Sequence, residues 1–261
     1  MIQVIRIPVP KQRLQALPKD ERVLLLLLGY VANQIMMMEK LIIFSTNKES
    51  TEPIEQQTAG VQTQMLLRLM IGVLNEAWQV ITTRFNKNPI NLVYRPLLDD
   101  GGKKALAALN QQFGDSNLLN RVRTNYAFHH PGSGDVEMAF QSAINNSDLN
   151  DDWNFYFAQH GLNSMFLISD IVIVHGIFNV LGETNWAASQ EKIMAQVLSA
   201  ADNINEFAKA YSKAVWLKHF GQKMLSDKVI EIHDAPKFDE VVLPFFIEMP
   251  GENPFKVDPV F

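Results

Sequence analysis

PKDERVLLLLLGYVANQIMMMEKLIIF, residues 18–44, decides the fold class. Pro18 opens the stretch, and Asp20 and Glu21 stand where a helix dipole favours negative charge. Apolar residues then fill 23–28, 35–38 and 41–44, so they fall at nearly every angle around a helix. A helix apolar on all faces is a central one. The expectation is a buried core helix in which Met36, Met37 and Met38 act as adaptable filling. A spanning helix needs about 20 apolar residues, and Asn33 and Gln34 interrupt this run, so no membrane span is expected.

Outward from this helix the pattern stays helical. Pro53 fits a first helical position, and Val61, Met65, Leu66, Leu69, Val73, Ala77 and Val80 keep helical spacing toward residue 85. Residues 90–102 read as loop, with Pro96 and the Gly101-Gly102 pair as breakers, and a short helix follows over 103–113. Further helices are expected over 117–129, 135–144 and 162–181. A last one runs from about Trp186 to Phe220, with Gly221 as its cap. Asp170 lies inside an apolar helix and needs a partner there, with Arg68, Arg84 or a histidine as candidates. Residues 2–9, 229–232 and 241–247 have β character, and the C-terminal tail that carries the last two is a candidate to pair with 2–9. The fold class is all-α: a helical bundle of about six or seven helices with short β-like N- and C-terminal segments.

The composition bounds the function. The chain has 261 residues, 47 % of them hydrophobic, and no cysteine. A core can form, while disulfides and thiolate chemistry are excluded. The net charge of −5 disfavours a broad basic groove for nucleic acid. That deficit belongs to residues 226–261, which hold eight acids and three lysines; residues 1–225 hold 20 of each sign. The expected organisation is a helical domain over 1–225 and an extended acidic tail over 226–261 packed on it, open to a protein partner. The cytoplasm is the default compartment. No glycine-rich phosphate loop, dinucleotide fingerprint or zinc spacing occurs, so neither a cofactor nor a metal is expected.

One segment concentrates chemistry: NLLNRVRTNYAFHHPGSGDVEMAFQSA, residues 117–143. Histidine titrates nearest neutral pH, and arginine presents a rigid fork suited to phosphate. Together they can cleave RNA without a metal. A histidine activates the ribose 2′-hydroxyl, and an arginine stabilises charge on the phosphorane. At about 100° per residue, Val122, Tyr126 and His129 lie on or near the apolar side, with Arg123 and His130 at its edge. Asn125 stands four residues before His129 and can fix its tautomer. The plainer reading makes His129 a core histidine satisfied by Asn125, with Arg123 paired across the turn to Asp135 or Glu137.

RTNYAFHH, residues 123–130, resembles the signature of the HEPN superfamily: an arginine, a polar residue close behind, then a histidine, on a helix of a small bundle. Five residues separate Arg123 from His129 and six separate it from His130, within the family's spacing; Thr124 stands where the favoured polar residue would, with Asn125 one step later. The resemblance implies a metal-independent RNase or an RNA- or nucleotide-binding protein of bacterial defence or toxin–antitoxin type, dimeric, with two motifs facing one cleft. It assigns phosphate stabilisation to Arg123, proton transfer to His129 or His130 and orientation to Asn125. Arg121 and Tyr126 would contact substrate. The alternative is a noncatalytic helical scaffold whose Arg/Asn/His cluster is structural. His160, His219 and His233 show no constellation around them in sequence.

Overall fold

The computed structural model describes residues 1–46, 50–114, 118–127, 130–145, 153–158, 161–183, 185–221 and 228–248. The fold is predominantly helical, with one two-stranded sheet. The helices are α1 (Lys11–Ala16), α2 (Lys19–Thr46), α3 (Pro53–Ile81), α4 (Ile90–Tyr94), α5 (Asp100–Gln112), α6 (Leu118–Val122), α7 (Ser133–Ile144), α8 (Leu167–Leu181) and α9 (Trp186–Phe220). The strands are β1 (Ile2–Arg6) and β2 (Lys228–Ile232). The chain divides into two compact units. Unit 1 comprises Met1–Met37, Val73–Asn117 and Gln196–Phe238; unit 2 comprises Met38–Gly72, Leu118–Ala195 and Asp239–Phe261.

In unit 1 the N-terminal segment pairs with the first of the two β-like stretches expected in the tail, whereas the second, 241–247, forms no strand. β1 and β2 run antiparallel, with Ile2 opposite Ile232, Val4 opposite Ile230 and Arg6 opposite Lys228. The core is aromatic. Phe85 meets Phe207 edge-on at 5.0 Å, and Tyr94 meets Tyr211 at the same centroid distance; all four are fully buried. Such contacts add specificity to the area they bury.

The expected loop over 90–102 is in fact α4, a 3-10 turn over Arg95–Leu97 and the start of α5. Gly101 and Gly102 do not break α5. Asp99 caps it, accepting the Gly102 N–H at 3.0 Å. Gly102 serves close packing instead: a Cβ there would stand 2.3 Å from the Ala210 Cβ on α9. At the far end of α9, Gly221 takes a left-handed φ of 70° and closes the helix, the cap expected from the sequence.

In unit 2, α8 is buried along most of its length, from Leu167 through Val172, Val174, Ile177 and Phe178 to Leu181. Ala139 and Ala143, one turn apart on α7, let that helix approach Val172, and Phe140, Trp153 and Ile168 close the cluster. Tyr156 and Met165 form an antiparallel bridge, and the Tyr156 hydroxyl donates to Gln57 Oε1 at 2.8 Å. The C-terminal segment is fastened in the same unit. Leu243 N–H donates to the Phe44 carbonyl at 2.8 Å, and Asn163 exchanges two hydrogen bonds with the Ile247 backbone.

α2 departs from the all-round burial expected of it. Leu24, Leu28 and Ile35 are fully buried, yet Leu26, Tyr30, Met36 and Met37 are about half exposed or more. The reason is geometric. A five-leucine run covers every angle, but at 3.6 residues per turn only one side of the helix reaches the core. Met36 and Met37 are therefore surface residues and not core filling. Among the described residues α2 alone is long and apolar enough to cross a membrane, by length and composition.

Candidate functional site

The motif helix changes character at its chemistry. α6 keeps ordinary α geometry over Leu118–Val122, and Arg123–Ala127 then form a π-helical turn. Hydrogen bonds in a π turn close between i and i+5. The angles expected for Arg123 and its neighbours under uniform α spacing therefore do not apply to them. Leu119 and Val122 are fully buried and anchor the segment. Tyr126 is buried too, and its ring lies against Gly176 on α8, where a Cβ would stand 2.6 Å from the hydroxyl. Burial, and secondarily the Asp135 carboxylate, pushes the Tyr126 phenol above its ordinary pKa.

Around this anchor the polar residues alternate in exposure. Arg121, Thr124 and His130 are exposed, and Arg123 and Asn125 are half-buried. His129 lies outside the described residues, as does its expected pairing with Asn125. Tyr126, expected to contact substrate, is buried and holds the turn against α8. Gly176 was not legible as its partner, because fifty residues separate the two in sequence.

Two further polar features lie in unit 2. Arg68 on α3 pairs with Asp170 on α8 at 2.6 Å, and both side chains are largely buried. This meets the need for a partner that an acid in an apolar helix imposes. His175 is also buried on α8, edge-on to Phe178 at 5.7 Å. Burial pushes its pKa below the ordinary histidine value.

Unit 1 holds a polar cluster that sequence reasoning missed. Glu21 on the first turn of α2 accepts Lys218 Nζ at 2.8 Å through Oε1. Its Oε2 accepts the Tyr94 hydroxyl and meets His219 Nε2, both at 2.5 Å. Tyr211 donates to the Glu21 backbone carbonyl at 3.3 Å, and Lys218 Nζ stands 4.7 Å above the Tyr94 ring centroid. Burial by itself would raise the Glu21 carboxyl. The hydrogen bonds from Lys218, Tyr94 and His219 outweigh burial and hold it below its ordinary pKa. Burial and the Glu21 charge push the Tyr94 phenol up; the same two causes raise Tyr211. His219, which has no constellation in the sequence, thus has one in the fold. The Glu21 carboxylate is committed to three donors and ties together α2, α4 and α9. Its chemistry is that of a clasp.

Among the described residues no three His, Asp or Glu side chains are grouped as a metal site. Comparison with protein-family models, curated proteins and solved structures finds no match.

Proposed function

We propose that the chain is a metal-independent ribonuclease, or an RNA- or nucleotide-binding protein, of bacterial defence or toxin–antitoxin type. In this reading it acts as a cytoplasmic homodimer, and its site is the segment from Arg121 to His130. The observation that carries the reading is the π-helical turn over Arg123–Ala127. π turns are rare and concentrate at functional sites, and this one falls on the residues that resemble the HEPN signature.

The chemistry assigns each residue a task. Arg121, exposed, draws the phosphate backbone in. Arg123 offers its fork to the scissile phosphate and stabilises the phosphorane. One of His129 and His130 takes the 2′-hydroxyl proton as that oxygen attacks phosphorus. The other returns a proton to the departing 5′ oxygen. Asn125 orients the imidazole, and Tyr126, held on Gly176, fixes the turn.

The test uses purified full-length chain and a labelled single-stranded RNA in the presence of EDTA. Cleavage by wild type, lost in Arg123→Ala and in the His129→Ala/His130→Ala double variant, supports the reading. No cleavage by wild type, or equal cleavage by all three, overturns it.

A second reading, a noncatalytic helical interaction protein, is favoured by a separate feature of unit 2. Phe155, Phe157 and Phe166 are each half exposed or more, with ring centroids 5.6–6.3 Å apart. Strand alternation around the Tyr156 bridge turns Phe155 and Phe157 outward while Tyr156 turns in. Exposed aromatic clusters of this kind mark contact surfaces.

A further inference from the structure

Unit 1 contains an open cleft of about 490 Å³, used neither by the Arg123 motif nor by the Glu21 clasp. That size lies within the range of small-molecule sites. Asn91 and Leu92 on α4, and Arg95 and Pro96 on the 3-10 turn, form one wall; Lys103 and Leu106 on α5 form the other. The cleft thus combines two cations and one amide with three apolar side chains.

No acidic side chain lines the cleft. Arg95 and Lys103 are exposed, and neither joins an ion pair among the described residues. Asp99, near both in sequence, is committed elsewhere. It caps the Gly102 N–H and binds Lys213, and these contacts hold its carboxyl below the ordinary pKa. Two positive charges lining one cleft, with no acid among its lining residues, call for an anion.

Tyr94, at the end of α4, is fully buried and fastened to Glu21. Asn91 donates one amide hydrogen to the Asn86 carbonyl at 3.4 Å, which orients the amide and leaves its second N–H available. Leu106 is buried at the base, and Leu92 stands at the rim.

We propose that this cleft binds a small organic phosphate. Charge selects the class. A phosphomonoester carries about −1.5 to −2 at pH 7, which Arg95 and Lys103 together match, whereas a monocarboxylate would leave one cation uncompensated. The Arg95 fork takes two phosphate oxygens, and Lys103 acts as a point charge on the third. Leu92, Pro96 and Leu106 receive the organic part.

Calorimetric titration of the full chain at low salt with phenyl phosphate, inorganic phosphate and benzoate tests this. Phenyl phosphate is expected to bind about tenfold more tightly than either other probe, because only it supplies both the dianion and an apolar body. Arg95→Gln and Lys103→Gln are each expected to weaken phenyl phosphate about tenfold. Leu92→Ser is expected to weaken phenyl phosphate and leave inorganic phosphate unchanged. All three side chains are exposed, and an unaltered urea midpoint establishes that each variant is folded. Phenyl phosphate binding no better than benzoate, or equally to wild type and an Arg95→Gln/Lys103→Gln double variant, overturns the assignment.

Discussion

The Glu21 clasp and the Arg121–His130 segment use nearly the same side chains and arrange them oppositely. Each has tyrosine, histidine and cations. In the clasp Tyr94, Lys218 and His219 converge on the buried Glu21 carboxylate, and Tyr211 donates to the Glu21 backbone carbonyl. In the segment the side chains come from ten consecutive residues, and Arg121 and His130 face solvent. The difference teaches what decides a polar group's role. A carboxylate that accepts three charged or strong donors has little capacity left for a substrate and contributes to stability. Polar groups held at the surface by a buried neighbour remain available for chemistry. Tyr126 is that neighbour here.

The largest expected effect breaks the clasp. Glu21→Ala removes the carboxylate that accepts the buried Tyr94 hydroxyl, leaves it only the longer contact to His219 Nε2 at 3.3 Å, and sets Lys218 beside His219 without an anion. Removing one member of a buried ionic group costs about 3–5 kcal/mol. Lys218 and His219 are partly exposed, so the lower end applies, about 3 kcal/mol. Urea unfolding measures it. A loss below about 1 kcal/mol would place the clasp among ordinary surface ion pairs and remove the contrast with the motif.

The next effect acts on the motif's anchor. Gly176→Ala puts a methyl group 2.6 Å from the Tyr126 hydroxyl. Overpacking of this kind costs about 2 kcal/mol. Shortening the partner relieves it, so Gly176→Ala/Tyr126→Leu is expected to be more stable than the sum of its single variants predicts, as measured by a double-mutant cycle. Additive losses would show that Tyr126 and Gly176 do not act as one contact.

These two sites show what was legible in the sequence and what was not. Local signals read well. Pro53 opens α3, Gly221 ends α9 in a left-handed turn, and of the two β-like tail stretches the first pairs with the N-terminal strand while the second forms no strand. Asp170 in an apolar helix announces a buried partner, and Arg68 supplies it. Long-range convergence was not legible. Glu21 looks like a residue chosen for a helix dipole, and nothing near His219 names Glu21, 198 positions away. The leucine run of α2 conceals which face is inward, because every face has the same composition. The π turn at Arg123 leaves no composition signal, so a uniform 100° step misplaces its residues.

A smaller, graded effect sharpens the clasp further. The Glu21 carboxyl has a folded-state pKa below its ordinary value of 4.5. Its contribution is therefore complete above that value and is lost as pH falls through the folded-state pKa. Glu21→Gln removes the ionisation and keeps the shape. The gap in urea midpoint between wild type and Glu21→Gln is expected to be widest near neutral pH and to narrow as pH falls below 4.5 and through the folded-state pKa. A gap that stays constant with pH would assign the stabilisation to packing and neutral hydrogen bonds.

The smallest expected effect on stability bears most directly on function. Arg121→Ala and His130→Ala alter exposed side chains on the segment that Leu119, Val122 and Tyr126 hold in place. Surface substitutions of this kind change stability by no more than about 0.5 kcal/mol. If the segment is a site of chemistry, both variants keep the wild-type urea midpoint while RNA cleavage falls. A His130→Ala variant that instead unfolds as readily as Glu21→Ala would make the motif a second clasp, and the scaffold reading would then stand. The two outcomes separate because the clasp is built from buried, mutually satisfied groups, whereas His130 and Arg121 have exposed side chains whose loss leaves the core intact.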